Sequence, residues 1–207
     1  EINYKIIKNQ RKIASLKKIA SLEEYKLQPN AMQIGFIKNL NKLIEAGEKR
    51  ALLISATGTG KTYASAFALR ENNPRKALFL VHREQIAKQA IESYKKIFGN
   101  TKTFGLLSGN FKDFETDYLF STMQMMSKEE NFTRFKEDEF DIIVIDEAHR
   151  IGANSYQKII QYFKPKLLLG MTASPERTDG YDVYKEFNHN IAYEIRLEQA
   201  LEENFLC

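Results

Sequence analysis

Eight residues constrain this chain more than any other stretch: Ser55-Ala56-Thr57-Gly58-Thr59-Gly60-Lys61-Thr62. They follow an apolar run at 51–55 and open an amphipathic segment at 61–71, so they read as the turn between a buried strand and a helix. Glycines at 58 and 60 let the backbone close around oxygen atoms with no Cβ in the way. Successive N–H groups can then converge on an anion, and the helix start adds partial positive charge. Lys61 can reach the β- and γ-phosphates of a nucleotide, and the Thr62 hydroxyl can sit on Mg²⁺. The usual pattern, G-x-x-x-x-G-K-[ST], opens on glycine; Ser55 stands there, and Gly58 supplies the flexibility instead. Thr57, Gly58, Thr59, Gly60, Lys61 and Thr62 are the expected nucleotide-binding residues.

The rest of the chain supplies the scaffold such a loop needs. Short apolar runs at 51–55, 77–81, 118–121, 141–145 and 166–171 read as buried strands. Amphipathic segments at 61–71, 83–98 and 155–163 read as helices between them. Continuous apolar runs, without period-two alternation, belong to parallel strands covered on both faces. The expected fold class is therefore α/β, three layers, with a mostly parallel sheet. Pro29 precedes a further helix at 32–46, with Ile34, Ile37, Leu40 and Ile44 expected on its buried face. The tail at 191–206 reads as a short strand and then a helix.

A second cluster of chemistry lies at Phe140-Asp141-Ile142-Ile143-Val144-Ile145-Asp146-Glu147-Ala148-His149. An apolar strand delivers two adjacent carboxylates at its C-terminal end, the edge of a parallel sheet where ligands bind. Asp146 would hold Mg²⁺ through its water shell, and Glu147 would orient and deprotonate an attacking water. Lys61, Asp146 and Glu147 are the expected catalytic residues; Thr62 and Asp146 are the expected metal residues. His82, His149 and His189 show no ligand-like spacing, so zinc is not expected.

Composition narrows the class. The chain has 207 residues, 43% hydrophobic and 28% charged, which argues against disorder throughout. No apolar run approaches the roughly 18 residues of a membrane span, and the opening residues show no basic–apolar–small pattern, so a signal peptide is not expected in this stretch. A single cysteine, Cys207, excludes a disulfide framework and suits the cytoplasm. The first residue is Glu1, so a piece of a longer protein is expected. Residues 1–30 carry seven basic and three acidic side chains, the whole of the net charge of +4. They read as a basic helical linker, in which the string IASL occurs twice at 13–16 and 19–22. The remaining body is neutral, so charge alone says little about nucleic acid.

Taken together, the motifs resemble the first RecA-like motor domain of superfamily 2 helicases over about residues 28–180. Asp146-Glu147-Ala148-His149 reads DEAH as it stands. Pro29-Asn30-Ala31-Met32-Gln33 is similar to the adenine-reading Q motif, which implies that Gln33 bonds the adenine of ATP. Leu80-Val81-His82-Arg83-Glu84-Gln85-Ile86 is similar to a strand-contacting motif, giving His82 and Arg83 phosphate-facing roles. Ser108-Gly109 and Ser121-Thr122-Met123-Gln124 resemble later strand-tracking motifs, which adds Ser108, Gly109, Thr122 and Gln124 as nucleic-acid-binding residues. Met171-Thr172-Ala173-Ser174-Pro175 resembles the motif that couples the ATP and nucleic-acid sites, so His149, Thr172 and Ser174 are the expected relays. The continuation Pro175-Glu176-Arg177-Thr178-Asp179-Gly180 is similar to the type III restriction-enzyme Res-subunit branch, which favours duplex DNA over RNA.

The resemblance also implies what lies elsewhere. Superfamily 2 motors carry arginine fingers in a second RecA-like domain, on a Q-x-x-G-R-x-x-R string that does not occur here. An arginine finger contributes about 10³–10⁵ in rate, so this piece alone is expected to hydrolyse ATP poorly. The expected division is a linker at 1–30, an ATP-binding helicase domain at 31–190 and a connector at 191–207 towards that second domain. A nuclease domain or subunit is a further expected partner. Two other readings stay open: an ATP-switched nucleic-acid sensor without processive movement, and a small-molecule kinase. A lid and an acceptor site for the kinase are not evident in the sequence.

Overall fold

The computed structural model describes residues 27–176 and 181–196. Most of the basic N-terminal segment, Arg177-Thr178-Asp179-Gly180 and the helix expected late in the tail lie outside the described residues. Seven strands form one sheet: β1 (Arg50–Ser55), β2 (Ala77–Val81), β3 (Phe104–Leu107), β4 (Tyr118–Thr122), β5 (Ile142–Asp146), β6 (Leu167–Thr172) and β7 (Ile191–Ile195). Their order is β3-β4-β2-β5-β6-β1-β7, and every pairing is parallel. The helices are α1 (Ala31–Glu45), α2 (Lys61–Asn72), α3 (Glu84–Phe98), α4 (Met123–Met126), α5 (Glu129–Phe132), α6 (Asn154–Tyr162) and α7 (Val183–Glu186). The expected α/β class with a RecA-like three-layer sheet is the fold observed.

Side chains alternate between the two layers of core, as the period of a strand requires. Ala51 and Leu53 of β1 face α1, α2 and α3, together with Phe79, Val81, Val144 and Leu169. Leu52 and Ile54 face the other way, with Leu80, Ile143 and Ile145, against α4, α6 and α7. Strands buried on both faces read as unbroken apolar runs for this reason. Tyr94 pins α3 to the sheet: its ring stands edge-on to Phe120 at 5.0 Å and Phe79 at 5.7 Å. Its hydroxyl bonds Ser65 Oγ of α2 at 2.9 Å, and burial raises its pKa.

Three expectations need correction. The buried face of α1 carries Met32, Gln33, Phe36, Ile37 and Leu40, whereas Ile34 is 54% exposed. Gln33 must face the phosphate loop, and that turns Ile34 outward. The strand expected at 141–145 runs one residue later, because Asp141 anchors its start from outside. That carboxylate accepts the Arg75 N–H at 2.8 Å and pairs with Arg75 and Lys166. Strand β3 is not expected from the sequence: four residues flanked by polar turns give no usable period. The strand read at the head of the tail is β7, paired with β1 as the last strand of the sheet.

Parallel pairing aligns the strand ends. Ile54 lies opposite Thr172, Asp146 opposite Met171, and Val81 opposite Thr122. Each residue expected to carry chemistry, except Gln33, therefore sits at or beyond one C-terminal edge.

Candidate nucleotide site and nucleic-acid edge

Gly58 and Gly60 adopt left-handed backbone, φ 87° and 84°, where only glycine sits without strain. Gly60 is the N-cap of α2, so the loop turns directly into that helix. Thr59 is buried and ties the loop shut: its hydroxyl donates to Ala56 O at 2.8 Å and is bonded to Ser55 Oγ. Ser55 thus has its own use where the general motif has glycine. The Lys61 ammonium donates to Ser55 O at 2.9 Å and Ala56 O at 3.2 Å. Burial holds its pKa below the ordinary lysine value, while the charges of Asp146 and Glu147 pull it upward. A half-buried cation held by loop carbonyls can exchange those partners for phosphate oxygens.

Gln33 joins α1 to the loop. Its N–H donates to Asn30 Oδ1 and its Oε1 accepts from Asn30 N–H, both at 2.9 Å, which closes a capping box. Its Nε2 donates to Gly60 O at 3.4 Å. Asn30 was not among the expected site residues, although its type and its spacing of three from Gln33 are the capping-box signature.

The two acids are held differently. Asp146 ends β5, and its pKa is raised, first by burial and then by the charge of Glu147. Lys61 acts in the opposite sense. Glu147 has φ 55° and ψ 48°, left-handed backbone on a non-glycine residue. Such strain costs about 1–2 kcal/mol and concentrates at functional sites. Its N–H donates to Asp146 Oδ1 at 3.1 Å. His149 Nδ1 lies 3.2 Å from Glu147 Oε2 and 3.2 Å from Thr172 Oγ1. Thr172 Oγ1 also accepts the Ser174 N–H at 3.2 Å. Glu147, His149, Thr172 and Ser174 therefore form one connected path from the acids to the end of β6. Thr62 lies half-buried in the first turn of α2.

Among the described residues no group of three His, Cys, Asp or Glu could hold a metal. A hard cation at this edge would take oxygen from Thr62, Asp146, phosphates and water, which suits Mg²⁺. The raised pKa of Asp146 fits that donor set, because an added cation offsets the burial and repulsion that raise it.

The residues expected to meet nucleic acid divide. His82 and Gln124 are exposed and line one cavity of ≈ 630 Å³ with Ser127, Arg150, Ser155 and Tyr156. Arg83 is exposed at the N-cap of α3, and Gly109 is exposed beyond β3. Ser108 and Thr122 are buried. Ser108 lies beside Glu84, whose carboxyl Lys88 and Ser108 together hold below the usual range. Arg150, Ser155 and Tyr156 are the site candidates that spacing did not reveal. Among the described residues no helix is long and apolar enough to cross a membrane.

Comparison with known proteins gives the family and the fold. The family described as type III restriction enzyme, res subunit, matches residues 26–177. The type I restriction enzyme EcoAI endonuclease subunit of Escherichia coli is 33% identical over 186 residues, 83% of this chain and 22% of that protein. A Saccharomyces cerevisiae protein provisionally named ATP-dependent helicase IRC3 is 29% identical over 181 residues, 79% of this chain and 26% of its own. The chain thus spans about a quarter or less of these relatives. The structure of a nuclease-deletion mutant of the type ISP restriction-modification enzyme LlaGI, in complex with a DNA substrate mimic, shares the fold. Its TM-score is 0.68 at 21% identity, over 86% of this chain and 21% of that one. The chain belongs to the family of the type III restriction enzyme res subunit, and it is a superfamily 2 helicase-like motor domain.

Proposed function

We propose that this domain binds Mg·ATP and that the intact protein couples its hydrolysis to movement on duplex DNA. The observation that carries the reading is the connected path Glu147–His149–Thr172–Ser174, beside Lys61 and along the edge from His82 and Gln124. Phosphoryl transfer to water is mostly positioning and charge stabilisation, and these residues divide that work. The loop N–H groups and Lys61 receive the phosphates; Thr62 and Asp146 would hold Mg²⁺. When bound, Mg²⁺ supplies charge neutralisation on the phosphate oxygens. Glu147 orients the attacking water and accepts its proton. His149 links Glu147 to Thr172, so the state of the acids reaches β6. Gln33 stands against the loop with an Nε2 proton to offer an adenine edge.

His82, Arg83, Ser108, Gly109, Thr122 and Gln124 provide the nucleic-acid edge, with backbone phosphates as the contact. A second RecA-like domain of the same polypeptide would close on the nucleotide and supply arginine. Residues 1–30 would serve as a linker and residues 191–207, the first of which form β7, as the connector. DNA is favoured because the LlaGI relative in fold was solved with a DNA mimic. The test is displacement of a third strand from duplex DNA by the complete protein. Movement predicts displacement with ATP and none with a non-hydrolysable analogue or with Glu147→Gln. Duplex binding with ATP-dependent affinity and no displacement would overturn the motor in favour of a nucleotide-switched sensor.

A further inference from the structure

The ≈ 630 Å³ cavity has two walls of different origin. His82 follows the end of β2, and Gln124 and Ser127 belong to α4 and its C-cap, just after β4. Arg150, Ser155 and Tyr156 come from the segment that directly follows Asp146 and Glu147. Two features of this second wall have no part in the nucleotide site. Arg150 is exposed and makes no ion pair among the described residues. Tyr156 is 3% exposed, and its hydroxyl has no hydrogen-bond partner among the described residues. A buried hydroxyl without a partner is uncommon, since burial removes its bonds to water. Burial pushes its pKa up to about 12, with the Arg150 charge acting the other way. At neutral pH the group is a proton donor in search of an acceptor.

This wall is also tied to the acids. Tyr156 N–H donates to Ala153 O at 2.9 Å, Ala153 N–H to Arg150 O at 3.0 Å, and Arg150 N–H to Glu147 O at 3.0 Å. The ladder ends on the residue whose backbone is held left-handed. We propose that Arg150 and Tyr156 together grip one backbone phosphate of nucleic acid, and that this grip positions Glu147 for hydrolysis. The proposal rests on the reading of this edge as a nucleic-acid face. A guanidinium fork matches phosphate geometry, and a neutral hydroxyl donates one more bond. Phosphate contact carries no sequence information, which suits a motor that must step through any sequence. Arg150 and Tyr156 are then positioning residues for hydrolysis: nucleic acid arriving at the cavity tightens the ladder that begins at the Glu147 carbonyl.

The experiment compares the complete protein with Arg150→Ala, Arg150→Lys, Tyr156→Phe and Lys158→Ala. Lys158 is an exposed cation on the same helix as Tyr156 and serves as the control. Binding of a fluorescein-labelled duplex is followed by anisotropy across salt concentrations, and ATP hydrolysis is followed at saturating duplex. Arg150→Ala is expected to weaken duplex binding about tenfold and to lower the log–log salt slope by about 1. It also lowers kcat at saturating duplex, which a loss of affinity alone cannot do. Arg150→Lys restores the salt slope and only part of kcat. Tyr156→Phe keeps the salt slope and lowers kcat. Lys158→Ala matches wild type. Wild-type salt slope and kcat in both Arg150→Ala and Tyr156→Phe would overturn the proposal, as would an equal loss in Lys158→Ala. A wild-type protein that neither binds duplex nor responds to it contradicts the motor reading itself, and the proposal falls with it.

Discussion

Glu147 offers a test in which stability and activity move apart. Its backbone lies at φ 55°, ψ 48°. An L-residue there carries about 1–2 kcal/mol of strain that glycine does not. Glu147→Ala removes the carboxylate and keeps the strain. Glu147→Gly removes both, but glycine gives the unfolded chain about 0.4–1 kcal/mol of extra freedom. The contact with His149 is lost in both variants and cancels from the comparison. The difference leaves the glycine variant about 0.5–1 kcal/mol more stable than the alanine variant. At about 2–4 °C per kcal/mol for a chain of this size, Glu147→Gly should melt about 2 °C above Glu147→Ala. At a right-handed position the order reverses. Thermal unfolding by circular dichroism, with urea midpoints beside it, measures the difference. Both variants should lose hydrolysis by about 10²–10⁴, the share of a general base. An alanine variant as stable as the glycine variant, or more so, would refute the left-handed Glu147.

Three further predictions concern packing, charge and coupling. A Cβ on Gly170 would stand 2.3 Å from the Phe187 ring, so Gly170→Ala should destabilise by about 1–3 kcal/mol in urea unfolding; an unchanged midpoint contradicts that packing. The Asp146 carboxyl has its pKa raised above 3.8 by burial first and by Glu147 second. Just above pH 3.8 the folded chain keeps a proton that the unfolded chain has released, so this group's contribution to stability falls as pH rises through that window. Glu147→Gln removes the second cause and should move the Asp146 carboxyl downward in a ¹³C titration; no movement, or an upward one, contradicts the coupling. Thr172→Val keeps volume but removes the bonds to His149 and Ser174, and should cost about 1 kcal/mol in the urea midpoint; an unchanged midpoint would mean that the hydroxyl holds nothing.

The loop and the acids were legible because each is contiguous. Lys61 and Thr62 must follow Gly60 on a helix start, and Asp146 must end an apolar strand, so the order of residues nearly dictates the place. Fully buried parallel strands were legible as unbroken apolar runs. What stayed hidden depends on distant parts of the chain. The buried face of α1 is set by where Gln33 meets Gly60, not by its own apolar spacing, so Ile34 lies outside although its spacing suggests the inside. The short β3 is a strand only because β4 pairs with it. The left-handed turn at Glu147 leaves no trace in residue type, since glutamate is a poor choice for that backbone. The cavity joins residues just after β2 and β4 to residues 150–156, and no spacing rule connects them.

In the proposed motor, one sheet edge joins nucleotide hydrolysis to nucleic acid. Steady-state ATP hydrolysis by the complete protein tests it most directly, measured without nucleic acid and with duplex DNA, single-stranded DNA or RNA. The Lys61→Ala protein is the control. Duplex DNA should stimulate hydrolysis strongly, and the stimulation should disappear in Lys61→Ala. Hydrolysis that no nucleic acid alters, or that persists without Lys61, would contradict it.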